Sequence, residues 1–266
     1  MAPTQGSSNW LAVHAAAVFG FLYLPIVVLL LYSFNGESVG GFPPHGWTLR
    51  WYRVLFNDSS LWLSVWNSVV VAFSAVVISA LFGLPAALAL QRTRFPGKIV
   101  FRRLVLLPLI LPGIITGLSL LTLFVACGAK LSLATVAIGH GTALIAVTVT
   151  EISAGLQKLD IAQEEASRDL GAGEWRTFWR VTLPNIRLSV VAAMLLVFTL
   201  SMDEIAVTFF LVGRQNTLPL EIWSRLRHGI TPEINAVSTL IFCFSLITIL
   251  FRYKLRSLGR DEQTVS

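Results

Sequence analysis

Apolar residues gather along the chain in six long blocks, roughly 10–33, 62–90, 104–126, 132–153, 188–210 and 234–252, with shorter polar stretches between them. About 20 mostly apolar residues are needed to cross the hydrocarbon core of a bilayer, and each block is near that length. Lipid offers backbone N–H and C=O groups no partners, so a block that crosses must be a helix. The pattern therefore predicts an all-α polytopic membrane protein with six transmembrane helices, a single domain over residues 1–266. The fourth block is the most polar, with Gly139, His140, Gly141 and several threonines. That mixture suits a helix buried among other helices rather than one facing lipid.

Composition agrees with the pattern. Hydrophobic residues make up 55% of the chain and charged residues only 13%, against about 25% charged in soluble domains. Residues 1–9 hold no Lys or Arg and the first block outruns a signal-peptide core, which predicts an uncleaved first helix. The net charge of +6 changes the picture once its location is known. With both termini placed in the cytoplasm, residues 91–103, 154–187 and the C-terminal tail hold 14 Lys and Arg, and the outer loops hold 6. That split follows the positive-inside rule, so the basic excess reads as topology and not as nucleic-acid binding. Outside, residues 34–61 carry Gly40, Gly41, Pro43 and Pro44 as turn formers and Trp47, Trp51 and Trp62 as interfacial anchors, while residues 211–233 form a second, partly apolar segment. Cys127 and Cys243 lie in apolar surroundings with no CxxC pattern, and a lone His140 makes no metal site.

The cytoplasmic stretch 160–184 is more than a connector. Asp160 followed by Gln163 reads as a helix N-cap with its partner at the third position. Ala162, Ala166 and Leu170 then share one helical face, Gly171 is placed to end the helix, and a second short helix runs from Glu174 to Pro184. Glu164, Glu165 and Asp169 make the first helix acidic; Trp175, Phe178 and Trp179 give the second an aromatic side. Such a hairpin either rests on lipid headgroups or docks a soluble partner.

The sequence Glu165-Ala166-Ser167, three residues, Gly171, nine residues, Val181-Thr182-Leu183-Pro184 resembles the EAA loop of bacterial ABC importer permeases, with Ser167 and Val181 as mild departures. The resemblance implies a type I importer permease of the bacterial inner membrane whose loop is seated in a groove of an ATP-binding subunit. Glu165, Ala166, Gly171, Leu183 and Pro184 would then be its coupling residues. It also implies the partners: a homologous second permease, a dimer of ATP-binding subunits and an extracytoplasmic substrate-binding protein. The chain itself has no phosphate-cradling G-x-x-x-x-G-K-[ST] loop, since Gly97-Lys98 is followed by Ile99. It is thus expected to be no enzyme and to bind no cofactor, with ATP and Mg used by the partner.

Charge inside an apolar block is costly and usually functional. Asp203 and Glu204 fall within the fifth block, and about 100° separates adjacent helical positions, so one of the two at most faces a pore. The alternative is a packing pair hydrogen-bonded to neighbours such as Thr208. Asp203-Glu204, Leu218-Pro219, Ser224, Gly229-Ile230 and Pro232-Glu233-Ile234-Asn235-Ala236 are similar to the spermidine/putrescine permease branch. That resemblance implies a polyamine path lined by Asp203, Glu204, Glu221 and Glu233, acids that suit an extended polycation. Relatives importing opines, phosphonates or ferric iron share parts of these motifs. An ion-coupled secondary transporter would instead show inverted repeats and several midplane charges. A membrane enzyme would need a clustered catalytic constellation. Neither pattern is evident.

Overall fold

The computed structural model describes residues 5–37, 44–227, 229, 232–243 and 246, and the chain divides into two compact units, Met1–Ser59 with Ile222–Ser266, and Ser60–Glu221. The regular secondary structure among the described residues is helical, with one isolated antiparallel bridge between Asn35 and Trp47.

In the first unit α1 (Gln5–Tyr32) contains a span over Trp10–Tyr32 and exposes large apolar side chains around its circumference, as a lipid-facing helix does. The chain then folds on the buried Asn35: Trp51 Nε1 donates to its carbonyl at 2.6 Å and the His45 N–H donates to its Oδ1 at 3.0 Å. A buried amide satisfied in this way fixes the entry to α2 (Arg50–Phe56). Arg225 pairs with Asp58 at 2.6 Å. Gly40, Gly41 and Pro43 lie outside the described residues. So do the tail arginines and lysine and most of the sixth block beyond residue 243; a helix over 232–243 is its described part.

The second unit runs through α3 (Ser59–Arg92), α4 (Lys98–Leu106), a 3₁₀ turn at Leu107–Leu109, α5 (Gly113–Ala126), α6 (Leu133–Ala143) and α7 (Ile145–Lys158). It continues through α8 (Ile161–Asp169), α9 (Glu174–Thr177), a π turn at Phe178–Thr182, α10 (Leu183–Met202), α11 (Ala206–Leu211) and the start of α12 (Leu218–Arg227). Its core sits where α3, α7 and α10 meet, around Ala87, Leu90, Ile152, Leu156, Ile186 and Ala193.

Three of the expected spans are cut differently. The third is broken: the segment Lys98–Leu109 meets α5 at 106°. Pro112, N-cap of α5, has no N–H to donate and is itself extended at ψ 137°, so one helix cannot run through. The fourth is longer than expected, Leu133–Lys158, and it is the most buried of the spans, as its polarity requires. The fifth is displaced. Helix runs from Glu174 to Met202, through Pro184 and not up to it, and stops before Asp203. The π turn just ahead of Pro184 opens the ladder where a proline ring would clash with the preceding turn, so the helix continues. Four helices are long enough to cross a membrane, five with the bent pair; the expected six are not reached among the described residues.

Candidate functional site: a coupling helix and a broken span

The loop after α7 begins as its sequence dictates. Asp160 Oδ1 accepts the Ala162 N–H at 3.0 Å, capping α8. Gln163 does not complete a capping box; its Oε1 accepts Asn185 Nδ2 at 3.1 Å and so reaches across to α10. At the other end the Gly171 N–H donates to the Arg168 carbonyl (2.8 Å) and the Ala172 N–H to that of Ser167 (3.1 Å). This paired closure needs a left-handed residue, and Gly171 supplies it with φ +81°. A residue bearing Cβ would pay roughly 1–2 kcal/mol there.

The two faces of α8 differ. Ala162, Glu165, Ala166, Asp169 and Leu170 are exposed, Leu170 at 90%. Glu164, two residues from Ala162 and so on the opposite face, is 2% exposed. Its Oε2 pairs with Arg92 Nε at 2.8 Å, and Thr182 Oγ1 donates to its Oε1 at 2.7 Å. Arg92 Nη2 also donates to the Leu156 carbonyl at 3.3 Å. One carboxylate thereby ties α8 to the end of α3 and to the π turn that opens α10. In the sequence Glu164 stands out only as one of the acids of this helix; its phase opposite the Ala162–Ala166–Leu170 stripe is the signal that marks it.

Across the Gly171 turn Arg168 pairs with Glu174, Nε to Oε1 at 2.9 Å and Nη2 to Oε2 at 3.1 Å. The hydrogen bond to Glu174 raises the pKa of the guanidinium above its ordinary value. Trp175, Phe178 and Trp179 pack together with ring centroids 5.3 to 6.1 Å apart and wall an apolar cavity of about 630 Å³ against Leu81, Leu84 and Leu88 of α3. Leu183 is half-buried and Pro184 exposed at the start of α10.

The acids of the fifth block sit in a break, not inside a helix. Asp203 and Glu204 lie between α10 and α11. Glu204 is half-buried and its Oε1 accepts the Val207 N–H at 2.9 Å, which satisfies the start of α11. Asp203 is exposed and makes no side-chain hydrogen bond among the described residues. The short α11 is wedged between α5 and α6 because both present glycine to it. A Cβ on Gly117 would lie 2.8 Å from Phe210 Cδ2 and 3.1 Å from Val207 Cα, and one on Gly139 would collide with Leu211 Cδ1. Small residues at such contacts are what let helices approach inside a membrane.

His140, on α6, contacts both sides of the break. Its Nδ1 lies 2.8 Å from Ser201 Oγ and its Nε2 lies 2.9 Å from Thr208 Oγ1, with the ring 1% exposed. The other two expected path residues lie elsewhere. Glu221, in the first turn of α12, accepts from Asn216 Nδ2 at 2.8 Å. Glu233 is half-buried in the helix over 232–243, in the other unit.

Residues 79–260 match the family described as binding-protein-dependent transport system inner membrane component. The chain is 38% identical over 242 residues to the putrescine transport system permease protein PotI of Escherichia coli (strain K12), covering 88% of this chain and 86% of that one. It is 33% identical over 235 residues to the spermidine/putrescine transport system permease protein PotC of the same strain, covering 88% and 89%. Its fold resembles a chain in the crystal structure of a bacterial ABC transporter involved in the import of the acidic polysaccharide alginate, with a TM-score of 0.68, 18% identity and coverage of 96% and 98%.

Proposed function

The chain belongs to the family of binding-protein-dependent transport system inner membrane components, the permeases of ABC importers, and from that premise we propose that it forms half of a polyamine path driven through α8. As a permease it is a transport component and not an enzyme; ATP is hydrolysed by a separate subunit. The observation that carries the coupling reading is the division of α8 into an exposed face and a face pinned by Glu164. A surface with Leu170 almost fully exposed next to Glu165 and Ala166 suits a groove on an ATP-binding partner.

In the working complex this chain sits beside a second permease, over two ATP-binding subunits, with both termini in the cytoplasm and a substrate-binding protein outside. Residues 1–266 act as one permease domain. ATP with Mg closes the partner dimer, which displaces α8 through its exposed face. Glu165, Ala166 and Gly171 shape that contact, and Leu183 and Pro184 mark where the movement enters α10. Because Glu164 links α8 to Arg92 and Thr182, the push reaches α3 and α10 together.

At the break, Asp203 is the acid best placed to meet cargo, since Glu204 is engaged by the backbone of α11. An exposed carboxylate between apolar helices attracts an extended polycation more strongly than it would in bulk water, because the local dielectric is low. Glu221 and Glu233 are further acids proposed for the same path. The relatives whose names carry putrescine and spermidine support that cargo class. The test is uptake of labelled putrescine into vesicles holding the complete transporter and its binding protein. ATP-dependent uptake, competed by spermidine, is expected. Uptake that persists without ATP, or binding-protein stability unmoved by any polyamine, overturns the reading.

A further inference from the structure

The break between α10 and α11 would be a weak point if nothing spanned it, because a helix ending in an apolar environment leaves backbone groups without water. Four polar groups close it. Thr208 Oγ1 lies 2.8 Å from the Glu204 carbonyl, which can only accept, so the single hydroxyl proton of Thr208 goes there. Thr208 must then accept from His140 Nε2–H across 2.9 Å. A neutral imidazole protonated at Nε2 has a bare Nδ1, which accepts from the Ser201 hydroxyl across 2.8 Å. The result is a one-way chain, Ser201 to His140 to Thr208 to Glu204. It starts in the last turn of α10, crosses to α6 and returns to the backbone beside Asp203. Ser201, His140 and Thr208 are all buried.

We propose that His140 is a positioning residue for Asp203: it joins the two ends of the broken span and so fixes where the exposed carboxylate is presented to the cargo. This rests on the reading of Asp203 as part of a cationic path. A histidine suits the role because its two ring nitrogens point apart and can bridge two hydroxyls that do not touch each other. Val207 and Leu211 pack beside Val136 on α6, so the wall around the chain is apolar and its hydrogen bonds do not compete with water.

The experiment uses the complete transporter in vesicles, with ATP, the binding protein and labelled putrescine. His140→Phe keeps the ring's bulk and removes both hydrogen bonds; His140→Gln keeps a donor and an acceptor. At equal yield of assembled complex, His140→Phe is expected to slow uptake about tenfold, the scale of losing a buried hydrogen-bonded link, while His140→Gln retains most of the rate. Thr208→Val breaks the same chain and should add little to His140→Phe. In an Asp203→Asn background His140→Phe should cause almost no further loss, since the group it positions has gone. A wild-type rate for His140→Phe overturns the proposal, as does rescue by Phe and not by Gln. An undiminished loss in the Asp203→Asn background also overturns it while leaving the path reading intact. If Asp203→Asn itself transports normally, the path reading fails and the positioning role falls with it.

Discussion

Two adjacent acidic pairs, Glu164–Glu165 and Asp203–Glu204, lie in unlike places and divide in the same way. On the amphipathic α8, Glu164 is buried against Arg92 and Thr182, and Glu165 is exposed with no side-chain hydrogen bond among the described residues. At the break after α10, Glu204 accepts from the α11 backbone and Asp203 is exposed. In each pair one carboxylate builds the local structure and its neighbour is left for something outside the chain. The order is reversed because the geometry is. On a helix the member turned toward the scaffold is buried, whereas at a helix start the member next to the free N–H groups is engaged.

The comparison can be broken most sharply at Glu164. Glu164→Ala strands the Arg92 guanidinium with a buried partner missing, at a cost of ~3 kcal/mol. Thermal unfolding of the purified permease should show the loss, along with a low yield of assembled complex. Glu165→Ala should leave unfolding unchanged and instead uncouple ATP hydrolysis from uptake. If the two variants behave alike, the division of labour on α8 is wrong.

Gly171→Val comes next. It strains the turn by roughly 1–2 kcal/mol and redirects the chain beyond α8, so uptake should vanish while membrane insertion, read by extraction and immunodetection, persists. Normal uptake in this variant would remove α8 from the coupling route.

At the break the expected effects are smaller. Asp203→Asn should slow putrescine uptake about fivefold to tenfold with unchanged assembly, the usual scale for losing one favourable charge contact in a sheltered site. Glu204→Gln keeps an oxygen that can accept from Val207, so its uptake should fall about twofold at most. A larger effect from Glu204 than from Asp203 would invert the assignment. The smallest change expected is at the α8 cap, where Asp160→Ala should lower stability by ~1 kcal/mol with uptake retained.

Much of this was legible in the sequence alone. The length of each apolar block reflects the thickness of a bilayer, a constraint that acts on the sequence directly, so the helical membrane class followed from composition and spacing. The loop over 160–184 was legible for a local reason as well. Its cap at Asp160 and its closure at Gly171 depend on backbone groups only a few residues away. The family match spans residues 79–260, which include this loop.

Other features depended on groups far apart in the chain. Hydropathy carried the fifth span through Asp203 to residue 210 because α11 is as apolar as the helix before it. Only α5 and α6, offering Gly117 and Gly139 as notches, give that apolar turn a separate seat. Likewise Pro184 reads as a helix stop until the π turn ahead of it is seen to absorb the clash. Sequence by itself determined that this is a set of apolar helices with a capped and closed helical loop after α7, because bilayer thickness and turn geometry are short-range demands. Which carboxylate of the Glu164–Glu165 pair is free, and where the fifth span breaks, were settled by tertiary structure. The first hangs on Thr182 and Arg92, 18 and 72 positions from Glu164, and the second on His140, 61 and 68 positions from Ser201 and Thr208, whereas Glu204 is engaged by the Val207 N–H only 3 positions on.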